Sequence, residues 1–353
     1  MDDVPEAREI PASTVEEMVG SIEPAAEVRE IDAAERGFCS VYRVVVSGDG
    51  RTRERYLKAS PDGQPWGIPV EARIQAVLDA RTSIPVPGVC GVVDDHESLP
   101  TPFYLTDALP GAELPYEHVS RLEDGPLRRL ARETGECLAE LHSVPAVDSF
   151  GHVRHDGPEL SGGRPDGDPA HLTVGTPRDD WPTYLRDRVD RALDRHADSR
   201  FSALTAELDR WFETGIEELE GPFEPVLGRN DHGLHNLLVD PETGAITAML
   251  DWAYTLAVPA AFDFEFAVYL LGGAFLAGLP DVPDRRPLVR DAMLAGYRTE
   301  APARAAALST PEPLYEALAM VRIMNDFHRL DLPDGTEGAV MARIGSDMQS
   351  LLD

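Results

Sequence analysis

The chain has 353 residues, 42% of them hydrophobic, so it can bury the core of one two-lobed enzyme or of two modest domains. Its 63 acidic residues exceed its 32 basic residues, and the net charge of -31 disfavours a nucleic-acid or anionic-membrane surface, where clustered Lys and Arg bind phosphates. The three cysteines, Cys39, Cys90 and Cys137, are scattered and odd in number, which argues against a disulfide framework and predicts a cytoplasmic protein.

The basic residues include a single lysine, Lys58, and all the others are arginine. Together with the acidic excess, this composition resembles that of proteins from salt-loving archaea. At molar salt the Debye length falls to about 3 Å, so repulsion among acidic side chains is largely screened. We therefore expect a halophilic protein; the alternative is that the acidity serves solubility alone.

The first 25 residues are acidic and lack the basic start of a signal peptide, so we expect no secretory signal. Ser13 and Glu16 have the spacing of a capping box, which predicts a short helix through about Ser21. Residues 27–34, 41–47 and 53–59 have strand patterns, and Gly48-Asp-Gly50 predicts a tight turn between the last two.

Lys58 lies in the third of these strands. A lysine is a compact point charge that reaches between phosphates, whereas an arginine presents a broad planar fork. Its retention in a chain that otherwise uses arginine therefore indicates a site that needs lysine. The alternative is a chance survivor on a surface strand.

Residues 69–78 predict a helix that begins at Pro69 and carries Glu71 in its first turn. Two further strands are predicted at residues 88–94 and 103–109, which completes a five-stranded lobe. The second of them ends in Asp107-Ala-Leu-Pro-Gly111, whose Pro-Gly pair indicates a turn.

The rest of the chain is mainly helical by its periodicity. A helix is predicted from Leu127 to His142, then a long Gly-, Pro- and Asp-rich loop over residues 150–180. Further helices are predicted at residues 181–196, 201–219, 287–297, 314–328 and 338–352. The most apolar window, residues 261–279, contains Asp263 and Glu265, which indicates a buried helix rather than a membrane span.

The stretch from residue 226 to residue 251 carries the candidate chemistry. Its apolar runs at residues 237–239 and 246–250 predict two short strands joined by the turn Pro241-Glu-Thr-Gly244. Asp231 and Asn236 would precede the first strand, and Asp251 would follow the second. Phosphoryl transfer needs such a set, because a carboxylate orients the attacking hydroxyl and oxygen ligands hold magnesium.

Two other interpretations of this stretch stay open. An Asp-rich hairpin is most often a solvated turn, since Asp is usually exposed. His232-x-x-His235 has a zinc-like spacing, although no Glu follows the first His and no third ligand is placed on a helix.

The ordered set of Asp231, Asn236 and a further Asp after a hairpin resembles the catalytic loop and metal-binding Asp of the protein-kinase-like fold. In detail it is similar to the aminoglycoside phosphotransferase family, whose members commonly read His-Gly-Asp-x-x-x-x-Asn, then Ile-Asp-Trp, then another Asp before an apolar helix. Here those places hold Arg229-Asn230-Asp231, Leu250-Asp251-Trp252 and Asp263. The resemblance extends from about residue 27 to residue 328.

The resemblance implies a two-lobed, protein-kinase-like α+β fold. Residues 1–108 would form an N-lobe of five antiparallel strands plus a helix that covers the nucleotide. Residues 109–353 would form a mainly helical C-lobe with a small catalytic hairpin and helices that bind the acceptor. The implied reaction moves the γ-phosphoryl group of ATP, with Mg2+, to a hydroxyl of a small molecule.

The resemblance implies a role for each candidate site residue. Asp231 would be the base, Asn236 and Asp251 would be Mg2+ ligands, and Lys58 would contact the phosphates with Glu71 orienting it. Ser40 would lie in the phosphate-covering loop, and the main chain of Asp107 and Leu109 would contact the adenine.

Three places depart from the family pattern: Arg229 replaces the usual His, Val258-Pro-Ala260 replaces Gly-Asp-Pro, and the phosphate-covering loop has one glycine, Gly37. A nucleotide-binding scaffold without turnover is the main alternative. A protein kinase is a weaker one, because His-Arg-Asp, Asp-Phe-Gly and Ala-Pro-Glu are missing.

Overall fold

The computed structural model describes residues 9–34, 39–60, 63–64, 67–114, 122–330 and 332–353. The chain divides into two compact units. The first comprises Met1–Pro110, Val153–Thr173 and Ala248–Thr255, and the second comprises Gly111–His152, Val174–Thr247 and Leu256–Asp353. The first unit therefore contains two segments from beyond residue 109, which the sequence did not indicate.

The helices and strands follow one another in a mixed α+β order, which confirms the predicted fold class. In chain order they are α1 (Ala12–Ile22), β1 (Glu27–Ala33), β2 (Ser40–Gly48), β3 (Arg51–Ala59), α2 (Ile68–Arg81), β4 (Val89–Val93), β5 (Phe103–Asp107), β6 (Ala112–Glu113), α3 (Asp124–Leu141), β7 (Phe150–His155), β8 (Leu172–Arg178), α4 (Trp181–His196), α5 (Thr205–Glu217), β9 (Val226–Gly228), β10 (Leu237–Val239), β11 (Ile246–Met249), β12 (Leu256–Val258), α6 (Ala260–Gly272), α7 (Arg286–Glu300), α8 (Pro302–Ala307), α9 (Pro313–Asn325) and α10 (Glu337–Leu352).

The first unit is built on a five-stranded sheet in the order β1-β2-β3-β5-β4, and all its neighbouring strands are antiparallel. Strand β2 alternates buried and half-buried side chains, as a strand with one face on a core should. Asp49 and Gly50 both have positive φ, at 50° and 72°, which is the twist that a two-residue hairpin turn requires. The five predicted strands of this lobe are confirmed.

Helix α1 packs its buried face, Val15, Met18 and Val19, into the core of this sheet. The predicted capping box is wrong, because the helix begins at Ala12 after Pro11 and has no side-chain cap. Ser13 therefore lies inside the first turn. Burial of the apolar face stabilises the helix in place of a cap.

The predicted loop over residues 150–180 is also wrong. Strands β7 and β8 occupy its two ends, and between them Gly162 and Gly163 hydrogen-bond to both sides of Val92 in β4. The N–H of Gly162 donates to Val92 O at 2.7 Å, and the N–H of Val92 donates to Gly163 O at 2.9 Å. The segment thus covers the edge of the first unit's sheet with backbone hydrogen bonds. Its content of glycine and proline had indicated a loop and gave no sign of this pairing.

The second unit is mainly helical around an aromatic core. Trp181 lies against Phe150, Tyr184, Phe262 and Tyr315, with ring centroids 5.2 to 6.0 Å apart. Helix α6 and the turn after it, Ala260–Gly278, form the one described segment long and apolar enough to cross a membrane, and 83% of it is buried. The predicted buried helix is therefore confirmed.

Two small sheets accompany these helices. One has the order β11-β10-β6 and the other the order β8-β7-β12-β9. The prediction of helices and a single hairpin missed the second sheet, because β9 and β12 have three residues each and are too short to show a period of two.

Candidate active site

The predicted catalytic hairpin is present. The turn between β10 and β11 closes with Asp240 N donating to Ala245 O at 2.9 Å and Gly244 N donating to Asp240 O at 2.8 Å. Asp231 and Asn236 precede β10, and Asp251 follows β11 by two residues. Asp231 and Asn236 belong to the second unit and Asp251 to the first.

In the first unit, Lys58 lies between two carboxylates. Its Nζ is 2.7 Å from Glu71 Oε2 and 3.4 Å from Asp251 Oδ1. Burial alone would lower the pKa of Lys58, but the charges of Glu71 and Asp251 outweigh it and raise that pKa well above its usual value. The chain's one lysine is therefore a charged ammonium that contacts Glu71, the partner implied by the resemblance, and also Asp251, which was not expected as its partner.

Helix α2 and the segment around Asp251 are in close contact. Glu71 Oε1 accepts a hydrogen bond of 3.3 Å from the N–H of Trp252, and Tyr104 also hydrogen-bonds to Glu71. Gly67, which precedes α2 at φ 78°, leaves no room for a side chain, because a Cβ there would lie 2.7 Å from Ala253 O. Asp251 itself has a left-handed backbone at φ 56°. Such strain persists only where the surroundings impose it, and it occurs often at functional sites.

Three other predicted nucleotide contacts also lie in the first unit. Ser40 is buried as the first residue of β2, opposite Ala59. The loop before it, residues 35–38 with Gly37, lies outside the described residues.

Asp107 ends β5 and has other partners than a nucleotide. Its N–H donates to Gly88 O at 2.9 Å, and its carboxylate lies 2.5 Å from Arg55 Nη1. The backbone N–H of Leu109, two residues later, makes no hydrogen bond with the described part of the chain. Of the two residues whose main chain is predicted to contact the adenine, Leu109 therefore has the N–H that an adenine edge could use.

In the second unit, Asp231 is bonded to other described residues through one of its two carboxylate oxygens. Oδ1 lies 3.1 Å from Arg322 Nη2 and accepts a 3.2 Å hydrogen bond from Gly233 N, whereas Oδ2 makes no hydrogen bond with any described residue. Burial disfavours the charge, but Arg322, His235 and Arg229 outweigh it and lower the pKa of Asp231 to about 2. With 23% of its side chain exposed, Asp231 presents one free carboxylate oxygen.

The backbone ahead of Asp231 is braced by Asp263, which is fully buried in the first turn of α6. Oδ1 accepts from Asn230 N at 3.0 Å and contacts His232 Nε2 at 2.8 Å. Oδ2 accepts from Arg229 N at 3.1 Å and contacts His142 Nε2 at 3.2 Å. Although burial opposes it, these donors hold the pKa of Asp263 far below its usual value.

Two residues ahead of Asp231 show how the chain accommodates Arg229, one of the three departures from the family pattern, and its neighbour Asn230. Asn230 stands where the family commonly has glycine and adopts φ 62°, a left-handed conformation that Asn tolerates better than most residues. Arg229, in place of the usual His, directs its side chain to Asn236 O at 2.7 Å. Asp263 lies inside helix α6 and not ahead of it, which corrects the predicted boundary.

Asn236 lies on the 3-10 turn Leu234–Asn236 just before β10. Its side chain is buried, and its Nδ2 has no hydrogen-bond partner among the described residues. The described ranges contain no group of three or more His, Cys, Asp or Glu side chains that could hold a metal. A magnesium ion, however, takes only one or two ligands from a protein and the rest from phosphates and water. The carboxylate of Asp251 and the carboxamide oxygen of Asn236 are each a type of oxygen that it binds.

Sequence reasoning missed several residues of the candidate site. His232 had been weighed only as a zinc ligand, yet it bonds to Asp263. Arg322 is the one basic residue of helix α9, among buried apolar side chains, and that contrast was the signal that could have revealed it. Arg188, whose Nη2 lies 2.9 Å from Asn230 Oδ1, gave no signal, because it is one arginine among several on helix α4. His142 is a structural residue, bonded to Tyr297 OH and Asp263.

Comparison with known proteins gives a consistent result. The sequence profile of APH, described as "Phosphotransferase enzyme family", matches residues 35–308, which is well over half of the chain. A curated relative, Acyl-CoA dehydrogenase family member 10 of Mus musculus, is 25% identical over 235 residues, or 63% of this chain. The matched part spans only 19% of that protein's length.

Two solved structures show the same fold at low identity. One is a thermostable mutant of aminoglycoside phosphotransferase APH(4)-Ia in a ternary complex with AMP-PNP and hygromycin B; it has TM-score 0.55 and 17% identity and covers 95% of this chain and 99% of that chain. The other is the GDP complex of aminoglycoside 2'-phosphotransferase-IIIa, with TM-score 0.54 and 13% identity, covering 95% of this chain and 97% of that chain.

Proposed function

The chain belongs to the phosphotransferase enzyme family, and from that premise we propose that it transfers the γ-phosphoryl group of ATP to a hydroxyl group of a small molecule. The observation that carries this proposal is the state of Asp231. It is an anion at neutral pH, held by Arg322 and Gly233 through one oxygen, with the other oxygen free for a hydroxyl donor.

We assign the acceptor's proton to Asp231. The acceptor hydroxyl would donate to Oδ2, which orients the attacking oxygen. As the bond from that oxygen to the γ-phosphorus of ATP forms, the bond from the γ-phosphorus to the oxygen of the β-phosphate would break, the proton would pass to Asp231 and ADP would leave. Because the transition state of phosphoryl transfer is loose, positioning contributes more than strong basicity, so a carboxylate with a pKa of about 2 suffices.

We assign the nucleotide to residues of the first unit. Lys58 would contact the phosphates, and Glu71 would orient it, as their 2.7 Å ion pair supports. Ser40 and the backbone of Asp107 and Leu109 are further candidate contacts, of which Leu109 has the free N–H. The nucleotide is proposed as ATP because one neighbouring structure holds AMP-PNP, although another holds GDP.

We propose Mg2+ as the metal, with Asp251 and Asn236 as its protein ligands. When bound, the ion would neutralise charge on the phosphates. Residues 1–108 would cover the nucleotide and residues 109–353 would carry the acceptor site.

We propose the cellular location, the type of source organism and the excluded partners from the amino-acid composition. We expect a cytoplasmic enzyme from a halophile, because its three cysteines are free and its net charge is -31 with one lysine. The same charge leads us to propose that nucleic acids and anionic membranes are not partners.

The proposal is tested by an acceptor screen. Purified protein in molar potassium chloride with magnesium-ATP is offered sugars, amino alcohols, nucleosides and aminoglycosides, and ATP consumption is followed together with phosphorus NMR of the products. We expect at least one acceptor to raise consumption above the acceptor-free rate and to appear as a phosphate ester. ATP binding without any phosphorylated product across the panel would instead support a nucleotide-binding scaffold.

A further inference from the structure

Two arginines of the second unit converge on Asn230, the residue before Asp231. Arg188, on α4, places Nη2 2.9 Å from Asn230 Oδ1. Arg322, on α9, places Nη1 2.7 Å from Asn230 O and Nη2 3.1 Å from Asp231 Oδ1. Positive charge from two separate helices therefore lies beside the residue assigned to the acceptor hydroxyl.

Arg188 has no carboxylate partner among the residues that the structure describes. Its guanidinium carbon lies 5.4 Å from the centre of the Phe262 ring, and its remaining polar contacts are with Asn230 and Tyr184. Burial and the nearby charge of Arg322 both lower the pKa of Arg188. A part-buried arginine without a counter-ion is unexpected in a chain with 63 acidic and 32 basic residues.

We propose that the acceptor carries an oxyanion, a carboxylate or a phosphate, in addition to its hydroxyl, and that Arg188 and Arg322 bind it. This inference rests on the proposed function, because it concerns the acceptor of the same site. Arg188 is the principal anchor, since its charge is not used by a carboxylate, and Arg322 is shared between the oxyanion and Asp231.

The chemistry favours an anionic acceptor over a cationic one. A guanidinium binds carboxylate or phosphate oxygens through two parallel hydrogen bonds. A cationic amino group in the same place would face like charge, which disfavours its binding in a partly buried site. An aminosugar with several amino groups therefore fits this site poorly.

The first test compares matched acceptors that differ in charge. Glycerate is paired with glycerol, ribose 5-phosphate with ribose, and kanamycin serves as the cationic probe. We expect kcat/KM for at least one anionic acceptor to exceed that of its neutral partner tenfold or more. Arg188→Gln should lower this anion-to-neutral ratio at least tenfold, because it raises KM for the anionic acceptor. Glycerate and ribose 5-phosphate distinguish a carboxylate from a phosphate.

The matched control is Arg186→Gln, which removes the same charge from an exposed position on the same helix. It should leave the anion-to-neutral ratio within twofold of wild type. Arg188→Lys should restore part of the ratio, because it returns the charge without the fork. A ratio that responds equally to both glutamine variants would overturn the inference in favour of a general charge effect.

A second measurement does not depend on turnover. Protein saturated with magnesium-AMP-PNP is titrated calorimetrically with orthophosphate, at the lowest potassium chloride concentration that keeps it folded. We expect binding that Arg188→Gln weakens at least tenfold and Arg186→Gln leaves unchanged. Absence of orthophosphate binding in the wild type, or turnover of only neutral or cationic acceptors, contradicts the oxyanion site. Absence of any phosphorylated product contradicts the proposed function separately.

Discussion

Replacing Asp263 by Asn would remove the brace of the catalytic loop. The carboxylate receives four donors, two on each oxygen, in a fully buried position. An Asn side chain keeps one acceptor oxygen but turns an NH2 group toward two of those donors. Breaking a buried, hydrogen-bonded charge of this kind costs about 3–5 kcal/mol, so we expect the free energy of unfolding to fall by that amount.

Urea denaturation of Asp263→Asn measures this loss directly. Glu265→Gln is the matched control, because Glu265 is buried on the same helix and pairs with Arg290 at 2.6 Å but does not touch the loop. Burial raises the pKa of Glu265, so its neutral replacement should cost less than half as much as Asp263→Asn. Equal losses in the free energy of unfolding for the two variants would contradict the role of Asp263 as a brace. A value for Asp263→Asn within about 1 kcal/mol of wild type would contradict it as well.

The remaining predictions concern salt, the lysine and pH. The thermal midpoint should rise toward molar potassium chloride as repulsion within the -31 charge is screened, and a midpoint that is flat or falls would reject the halophile proposal. Lys58→Arg should cost at least about tenfold in turnover, or about 1.4 kcal/mol, because a fork replaces a point charge between Glu71 and Asp251; wild-type activity would make the lysine incidental. Asp263 has a lowered pKa in the folded state, so its contribution is complete above the unfolded pKa of about 4 and is lost at lower pH. The difference in unfolding midpoint between wild type and Asp263→Asn should therefore narrow from pH 5 to pH 3, and a constant difference would contradict the brace.

Much of the first unit could be predicted from the sequence, because its signals are local. Alternating apolar residues mark strands β1 to β3, and Asp49-Gly50 is a turn pair of the type that hairpins favour. The pairing of Lys58 with Glu71, observed at 2.7 Å, was expected from the resemblance, whereas the single lysine by itself indicated only a site that needs lysine.

The parts that failed depend on contacts distant in sequence. Within residues 150–180, β7 pairs with β12, and Gly162 and Gly163 hydrogen-bond to Val92 of β4, while β8 pairs with β7. The partners in β4 and β12 are distant in sequence, and no periodicity within the segment encodes them. The positions of Arg188 and Arg322 depend on how helices α4 and α9 pack beside residue 230, which their own sequences do not specify. Tertiary packing decided these features.

We propose that Asp231 acts on the acceptor and Asp251 on magnesium-ATP, and one paired measurement tests this division of roles. Calorimetric titration with magnesium-ATP is run beside the turnover assay for Asp231→Asn and Asp251→Asn, with Asp240→Asn, from the turn of the same hairpin, as the control. We predict that Asp231→Asn binds magnesium-ATP like wild type but loses turnover by about 10² or more. Asp251→Asn should lose both, since Asp251 would help to hold the metal that neutralises charge on the nucleotide's phosphates before reaction. Full turnover by Asp231→Asn would contradict the assignment of Asp231 to the acceptor hydroxyl.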